Sequence, residues 1–295
     1  MRVFVTGATG FIGLTVVKEL RLAGHGVLGL ARSDFGAEAL RAAGADVHRG
    51  EMDRLDTLTS GVRAADAVIH LAFNHDFSKF AQNGEQERRA IAALGEALVG
   101  TKKLLLVTSG TGMATALPGR PATEDDEPVG GGQFPRTPEA SARAFEPRGV
   151  RIGIVRLPQV HDTRKAGLVT FVIAVARQKG FVAYVGEGSN CWPAAHVTDV
   201  ARLYRLALEK TDTFARYQAV AEEGVPMRKI AEVVGEGLRL PVRSITQEEG
   251  TSYFGWMGHL ASRDLRASST KTKRALDWEP TGPGLIEDLA RFEWV

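Results

Sequence analysis

Cysteine is almost missing from this chain: Cys191 is the only one in 295 residues. A disulfide framework is thereby excluded, and the usage fits a reducing compartment. An excess of one charge is missing too, with 37 Lys and Arg against 35 Asp and Glu and a net charge of +2. Without a concentrated basic face, nucleic acid is not an expected partner. The longest apolar stretch runs from Leu168 to Ala176 with Thr170 inside it, far short of the ~20 residues that span a bilayer, so no membrane is expected. The zinc patterns HExxH and CxxC are absent and the seven histidines are scattered, so no metal is expected. The chain opens on Met-Arg-Val-Phe-Val-Thr-Gly, a strand rather than a signal peptide, and a cytoplasmic location is expected.

What is present is an alternation of short apolar runs with amphipathic stretches. Strands are predicted at Val3–Val5, Gly26–Ala31, Ala67–Leu71, Lys103–Thr108 and Val150–Leu157, and helices at Phe11–Leu22, Ala37–Ala43 and Glu85–Val99. This order calls for an α/β fold, a doubly wound parallel Rossmann sheet that binds ligands beyond the carboxyl ends of its strands. From about Ala166 the alternation gives way to mixed short elements, read as a smaller C-terminal substrate lobe. The expected division is 1–161 plus about 189–221 for the nucleotide-binding domain, and about 162–188 plus 222–295 for the lobe. A Pro-, Gly- and acid-rich loop, Leu117 to Pro138, interrupts the pattern; a loop of that length is functional or mobile.

Between the first strand and helix lies Thr6-Gly7-Ala8-Thr9-Gly10-Phe11-Ile12-Gly13. Gly7 permits the tight turn, Gly10 admits a pyrophosphate close to the backbone, and Gly13 lets helix and strand pack. Free amides at the start of the helix, around Thr9, Phe11 and Ile12, then hold phosphate charge. A bare glycine triplet is weak evidence, but the flanking strands and helix supply the context it requires. The second strand ends Leu30-Ala31-Arg32-Ser33, without the Asp or Glu that binds the ribose hydroxyls of NAD. Arg32 can instead pair with a 2′-phosphate and Ser33 can donate to it, which points to NADP(H), with Asp34 as the nearest opposing charge.

With these motifs in view, the chain resembles the short-chain dehydrogenase/reductase superfamily, in its extended and atypical branches. Arg49-Gly50-Glu51-Met52 is similar to the segment whose acid and apolar residue meet adenine, so Glu51 and Met52 are cofactor candidates. Val68-Ile69-His70-Leu71-Ala72 resembles the fourth strand, which places Leu71, Ala72 and Phe73 along the cofactor. Arg156-Leu157-Pro158-Gln159-Val160-His161 resembles the strand end near nicotinamide, which adds Leu157, Gln159 and Val160. Ala195–Ala201 and the stretch Ser268 to Pro280 resemble two further segments of these proteins. The resemblance implies hydride transfer to or from a carbonyl or alcohol carbon of a small-molecule substrate. It also implies a homodimer packed through the helices after the fourth and fifth strands.

The family's usual acid is a tyrosine with a lysine four residues on. Here the four tyrosines, Tyr184, Tyr204, Tyr217 and Tyr253, are followed at that spacing by Gly188, Leu208, Ala221 and Met257. The flanking motifs put the missing pair at about Gly131 and Pro135, with Phe134 the only aromatic nearby. Ser109 falls at the serine position and Thr111 lies beside it; each either orients a substrate oxygen or satisfies local backbone. Glu87 falls where an atypical branch carries an acid, or is a solvated helix charge. Tyr184 and His161 are the replacement proton donors, against the readings of core aromatic and structural histidine. His196 reads as structural, with Thr198 or Asp199 capping the helix that follows, and His75 and Asp76 as cleft or surface. The leading expectation is an NADP(H)-dependent oxidoreductase with a non-standard proton donor. The alternatives are a nucleotide-sugar epimerase or dehydratase, and an inactive NADP(H)-binding sensor.

Overall fold

Apolar runs joined through helices can pair side by side only as parallel strands, and they do. The computed structural model describes residues 1–114, 119–129 and 135–294. Its strands are β1 (Arg2–Thr6), β2 (Gly26–Ala31), β3 (Asp46–Arg49), β4 (Ala67–His70), β5 (Leu104–Gly110), β6 (Arg151–Leu157), β7 (Gln159–His161), β8 (Val182–Val185), β9 (Cys191–His196), β10 (Ala215–Gln218), β11 (Glu222–Pro226) and β12 (Val242–Ile245). Its helices are α1 (Phe11–Leu22), α2 (Asp34–Ala42), α3 (Leu55–Arg63), α4 (Phe80–Leu98), α5 (Pro138–Arg143), α6 (Val169–Lys179), α7 (Val197–Lys210), α8 (Met227–Leu238), α9 (Gln247–Phe254), α10 (Gly258–Ala261), α11 (Thr270–Leu276) and α12 (Leu285–Ala290).

Seven strands form one sheet in the order β3-β2-β1-β4-β5-β6-β10, every pair parallel. This is a doubly wound Rossmann sheet. Val3 and Val5 face a core shared with α1 and α7, while Phe4 between them faces the core of Leu28, Leu58 and Leu105 on the opposite side. Burial on both faces is why β1 carries no polar alternation. The direction of winding reverses between β1 and β4, and the ends of those two strands are where such sheets hold ligands.

A second core gathers α6, β8, β9, α8 and α9 around the wholly buried Trp192. Two small sheets, β11-β9-β7 and β12-β8, serve it. Beyond Ala166 strands and helices follow in no regular alternation, with β8 next to β9, β10 next to β11 and the helices α9 to α12 in a run, the mixed short elements that the sequence suggested. Around the main sheet, β3, α3 and β10 went unanticipated. β3 (Asp-Val-His-Arg) is a half-exposed edge strand without an apolar run, and α3 is rich in Thr, Ser and Gly. In α3, Gly61 is required because a Cβ there would lie 2.4 Å from the Phe4 ring. α4 begins at Phe80 rather than Glu85, and α2 at Asp34 rather than Ala37, because Ser33 Oγ caps α2 by accepting from Gly36 N at 3.2 Å. The cap of α7 is also corrected: His196 itself accepts from Thr198 N. Asp199 instead accepts from the amides of Thr281 and Gly282, at 2.9 and 2.8 Å.

The Pro- and Gly-rich loop is fastened along the part that is described. Ala122 exchanges backbone hydrogen bonds with Arg266 and Ser268. Glu124 accepts from both the amide and the hydroxyl of Thr272 at 2.7 Å. Gly131 and Phe134, at and beside the expected place of the missing tyrosine, lie outside the described residues.

Beneath the loop sits a buried charge cluster. Glu139, on α5, is 1% exposed and receives a bidentate pair from Arg156 of β6, at 2.7 and 2.9 Å. Arg216 of β10 adds a third contact at 3.0 Å. Removing one partner of a buried pair leaves an uncompensated charge, so Glu139→Ala should cost about 3–5 kcal/mol of stability in urea unfolding. Arg88→Ala, which breaks an exposed pair with Glu85, should leave the unfolding midpoint in place. Equal midpoints for the two variants would remove the cluster from any structural role.

Candidate functional site

The ends of β1 and β4 touch, and glycine makes the contact possible. Gly7 has φ +67°, and a Cβ on it would lie 2.7 Å from Ala72 N and 2.8 Å from Leu71 C. Thr6 Oγ1 bonds His70 Nδ1 at 2.8 Å and accepts from Ala72 N at 3.4 Å. A Cβ on Gly13 would lie 2.0 Å from Gly7 O, so α1 starts flush against the turn. Gly10 caps that helix with no side chain over its amides, and no acid stands in its first turn. Phe11, Ile12 and Gly13 thus open a helix whose N-terminal amides no side chain covers, the arrangement that attracts an anion. Thr9 packs beside Gly36 of α2.

At the end of β2, Arg32 is exposed and makes no hydrogen bond, ion pair or ring contact among the described residues. Asp34, the nearest opposing charge, is taken by Arg49. Ser33 accepts a bond as the cap of α2 and keeps its hydroxyl proton to donate. Glu51 is exposed and Met52 half-buried after β3. A polar cleft of about 270 Å³ lies beside them, lined by Asp53, Asn74, Gln86 and Arg89 among others.

On the other side of the switch point stands a residue that the motifs did not single out. Arg136 makes a bidentate pair with Glu87 of α4, at 2.9 and 2.7 Å, and donates to Thr108 O at 3.3 Å. Its guanidinium lies 4.3 Å from the centre of the Phe73 ring, in the segment leaving β4. Among the described residues, Arg136 Nη1 has only the Met113 sulfur, at 3.9 Å, within reach. Gly84 allows the approach, since a Cβ there would lie 2.6 Å from Pro135 O. Glu87, anticipated as catalytic acid or solvated charge, is buried and holds this arginine. The only signal was positional: Arg136 is one residue beyond the expected place of the lysine.

Ser109 lies near the end of β5 and Thr111 just after it, both buried. Ser109 Oγ donates to Glu139 at 3.0 Å, and Thr111 Oγ1 donates to Leu157 O at 3.4 Å. His161 lies on β7, wholly buried, with Nδ1 2.7 Å from Asp288 of α12. Burial lowers its pKa against the pull of Asp288, and Nε2 has no partner among the described residues. Val160 is buried in the main core, and Gln159 Oε1 accepts from Leu168 N at 2.8 Å. Tyr184 stands apart, on β8 of the two-stranded sheet, with Arg228 over its ring. Tyr204 is buried under the site against Thr108 Oγ1 at 2.7 Å, and burial raises its pKa. The structure therefore gathers Glu87, Ser109 and Thr111 at the ends of β4 and β5, and sets His161 and Tyr184 on other sheets.

The model of the NAD dependent epimerase/dehydratase family matches residues 3–220. The chain belongs to that family. A Schizosaccharomyces pombe protein of uncharacterised function is 45% identical over 292 residues, 98% of each chain. A 3-diazoavenalumate denitrifying reductase from a Streptomyces species is 26% identical over 318 residues, 99% of this chain and 100% of that one. Among solved structures, MoeE5 in complex with UDP-glucose and NAD superposes with a TM-score of 0.74 at 23% identity, covering 100% of this chain and 98% of the other, a likeness of fold. The family is one of dehydrogenases, epimerases and reductases. No helix among the described residues is long and apolar enough to cross a membrane.

His70 offers a direct test of this seam. Burial, and then the charge of Arg136, lower its pKa from 6.5 to about 3. Between these values the unfolded chain binds a proton that the folded chain refuses, so stability is full above pH 6.5 and falls as pH drops toward 3. The loss should reach a few kcal/mol. Urea unfolding between pH 7 and 4 should show a steeper fall for the native chain than for His70→Asn; parallel curves would mean that His70 titrates normally.

Proposed function

We propose that this member of the family binds NADP(H) and reduces a carbonyl or imine carbon of a small organic substrate without a tyrosine acid. The observation that carries the reading is Arg32, a cation left unpaired at the end of β2 while Arg49 occupies the neighbouring Asp34. A 2′-phosphate is the partner such a fork is suited to hold, with Ser33 as second donor. The glycine turn fits the rest of the dinucleotide, since the space a Cβ would need at Gly7 and Gly13 is filled by backbone. Gly7, Thr9, Gly10, Phe11, Ile12 and Gly13 hold the pyrophosphate on this reading, and Glu51, Met52, Leu71, Ala72 and Phe73 line the remainder. Lys165 adds charge from the second lobe. Its Nζ lies 5.8 Å from the Phe11 ring centre, and the side chain pairs with no carboxylate among the described residues.

When bound, the cofactor supplies the hydride. The chain's own task is to stabilise negative charge on the substrate oxygen or nitrogen, which preorganised donors do best. Arg136 suits that task because Glu87 and Thr108 O fix its plane while Nη1, among the described residues, meets only the Met113 sulfur. Glu87 is then a positioning residue. Ser109 and Thr111 each need only a hydroxyl rotation, off Glu139 and off Leu157 O, to donate alongside it. An arginine keeps its proton at any physiological pH, so solvent completes the product.

A second reading, nucleotide-sugar epimerisation or dehydration, is favoured by the family and by the UDP-glucose that MoeE5 binds. Incubation with UDP-glucose and NADP⁺ or NAD⁺ separates the two readings, because the reductase leaves the sugar unchanged. The cofactor assignment has a sharper test. Arg32→Ala should weaken NADPH binding by roughly 10- to 100-fold and leave NADH binding within about twofold, as expected for the loss of charge-assisted bonds to one phosphate. Calorimetric titration of both cofactors decides it, and an equal effect on the two would overturn the preference.

A further inference from the structure

The segment leaving β4 is unusually aromatic, and its rings do not end in the domain that carries them. From Phe73, under the Arg136 guanidinium, ring contacts run to His75 at 5.3 Å and to Phe80 at 6.1 Å. His75 meets Phe77 at 5.9 Å. Phe77 then stacks on Trp256 at 4.1 Å with 10° between the planes. Phe171 of α6 closes edge-on against both, at 5.2 and 5.5 Å. Phe171 and the short turn bearing Trp256, Gly255–Met257, belong to the second core. Phe77 and Phe171 are half-buried, His75 is exposed, and Trp256 keeps 46% of its surface in water beside the wholly packed Met257. A scattered exposed aromatic needs no explanation, but a continuous aromatic wall does.

We propose that this wall binds an aryl group of the substrate, so that the natural substrate carries an aromatic ring next to the reduced carbon. The proposal rests on the reductase reading, and it names the substrate class of that same site. Three observations support it. First, the wall begins at Phe73, against the same Arg136 to which the substrate's polar atom is assigned. A ring and an electron-poor carbon joined directly would therefore meet the wall and the guanidinium in one molecule. Second, aromatic faces prefer other aromatic rings in offset or edge-on contact over saturated rings of equal size. Third, Lys79, the cation on the segment leaving β4 that carries most of the wall, already pairs with Asp76 at 3.7 Å. A sugar diphosphate would bring several charges and hydroxyls to a wall made mainly of hydrocarbon rings.

The test compares matched pairs differing only in the ring: 1-phenylethanol with 1-cyclohexylethanol for binding, and acetophenone with cyclohexyl methyl ketone for turnover. Binding is followed as a saturable change in tryptophan emission of the NADP⁺-loaded protein. Trp256 is the tryptophan in the wall, and the signal that remains in Trp256→Phe gives the background from Trp192, Trp278 and Trp294. The phenyl compound should bind about tenfold tighter than the cyclohexyl one. Trp256→Ala should bring the two within about twofold, whereas Trp256→Phe, read by calorimetry, should keep the preference. NADPH affinity should be unchanged in both variants. Equal binding of the two alcohols to the native chain overturns the proposal, as does a preference that survives Trp256→Ala. Saturation by UDP-glucose with no response to 1-phenylethanol overturns it in favour of a nucleotide sugar. If the phenyl preference holds but neither ketone is reduced, the aryl site stands and the reductase reading fails.

Discussion

Two buried carboxylates govern the region where chemistry is expected. Glu87 and Glu139 lie on different helices, and each is matched by a guanidinium at bidentate distance. A carboxylate taken out of water costs several kcal/mol unless a partner follows it. Each glutamate therefore dictates where an arginine must go. Arg156 brings β6 under α5, Arg216 ties β10 to the same point, and Arg136 is drawn across the end of β5 onto α4. Because Arg136 and Glu139 are separated by only three residues, the chain between them is pinned at both ends. The backbone entering α5 has one path, and that path runs along the ligand edge of the sheet.

This pinning explains why the polar groups at the site look committed. Ser109 spends its proton on Glu139, so its hydroxyl belongs to the charge cluster as much as to any ligand. Thr108 on the preceding residue donates to His70 O and meets Tyr204, joining β4, β5 and α7 beneath the cleft. These groups have little freedom, which suits a site whose donors must be in place before charge develops. The flexibility that remains is in hydroxyl rotations rather than in backbone.

How much of this the sequence discloses differs by scale. The glycine turn was legible because three glycines at fixed spacing have local causes, the αL turn at Gly7 and the flush helix start at Gly13. Strands buried on both faces, such as Val3–Val5, announce themselves by continuous apolar character. β3 and α3 do not, because an edge strand needs few apolar residues and α3 is held by Gly61 against a ring from β1. The site was legible only in outline. Ser109 could be placed from its strand, but its bond to Glu139 spans 30 residues and that of Arg136 to Glu87 spans 49. Pairings over such distances leave no local period to read. The reach of the aromatic wall to Trp256 was equally hidden, since its rings come from three separate stretches of chain.

Relying on an arginine, with no tyrosine acid, alters what kind of catalyst the proposed site can be. A tyrosine gives up a proton, and must therefore recover one each turnover. Arg136 gives up none, and acts only through its charge and its N–H geometry. Such a site gains most from a substrate whose oxygen or nitrogen develops its negative charge within reach of the guanidinium. The guanidinium and the aromatic wall are thus complementary parts of one solution. On the proposed reading the first stabilises an anion without supplying a proton, and the second holds the aryl group beside it.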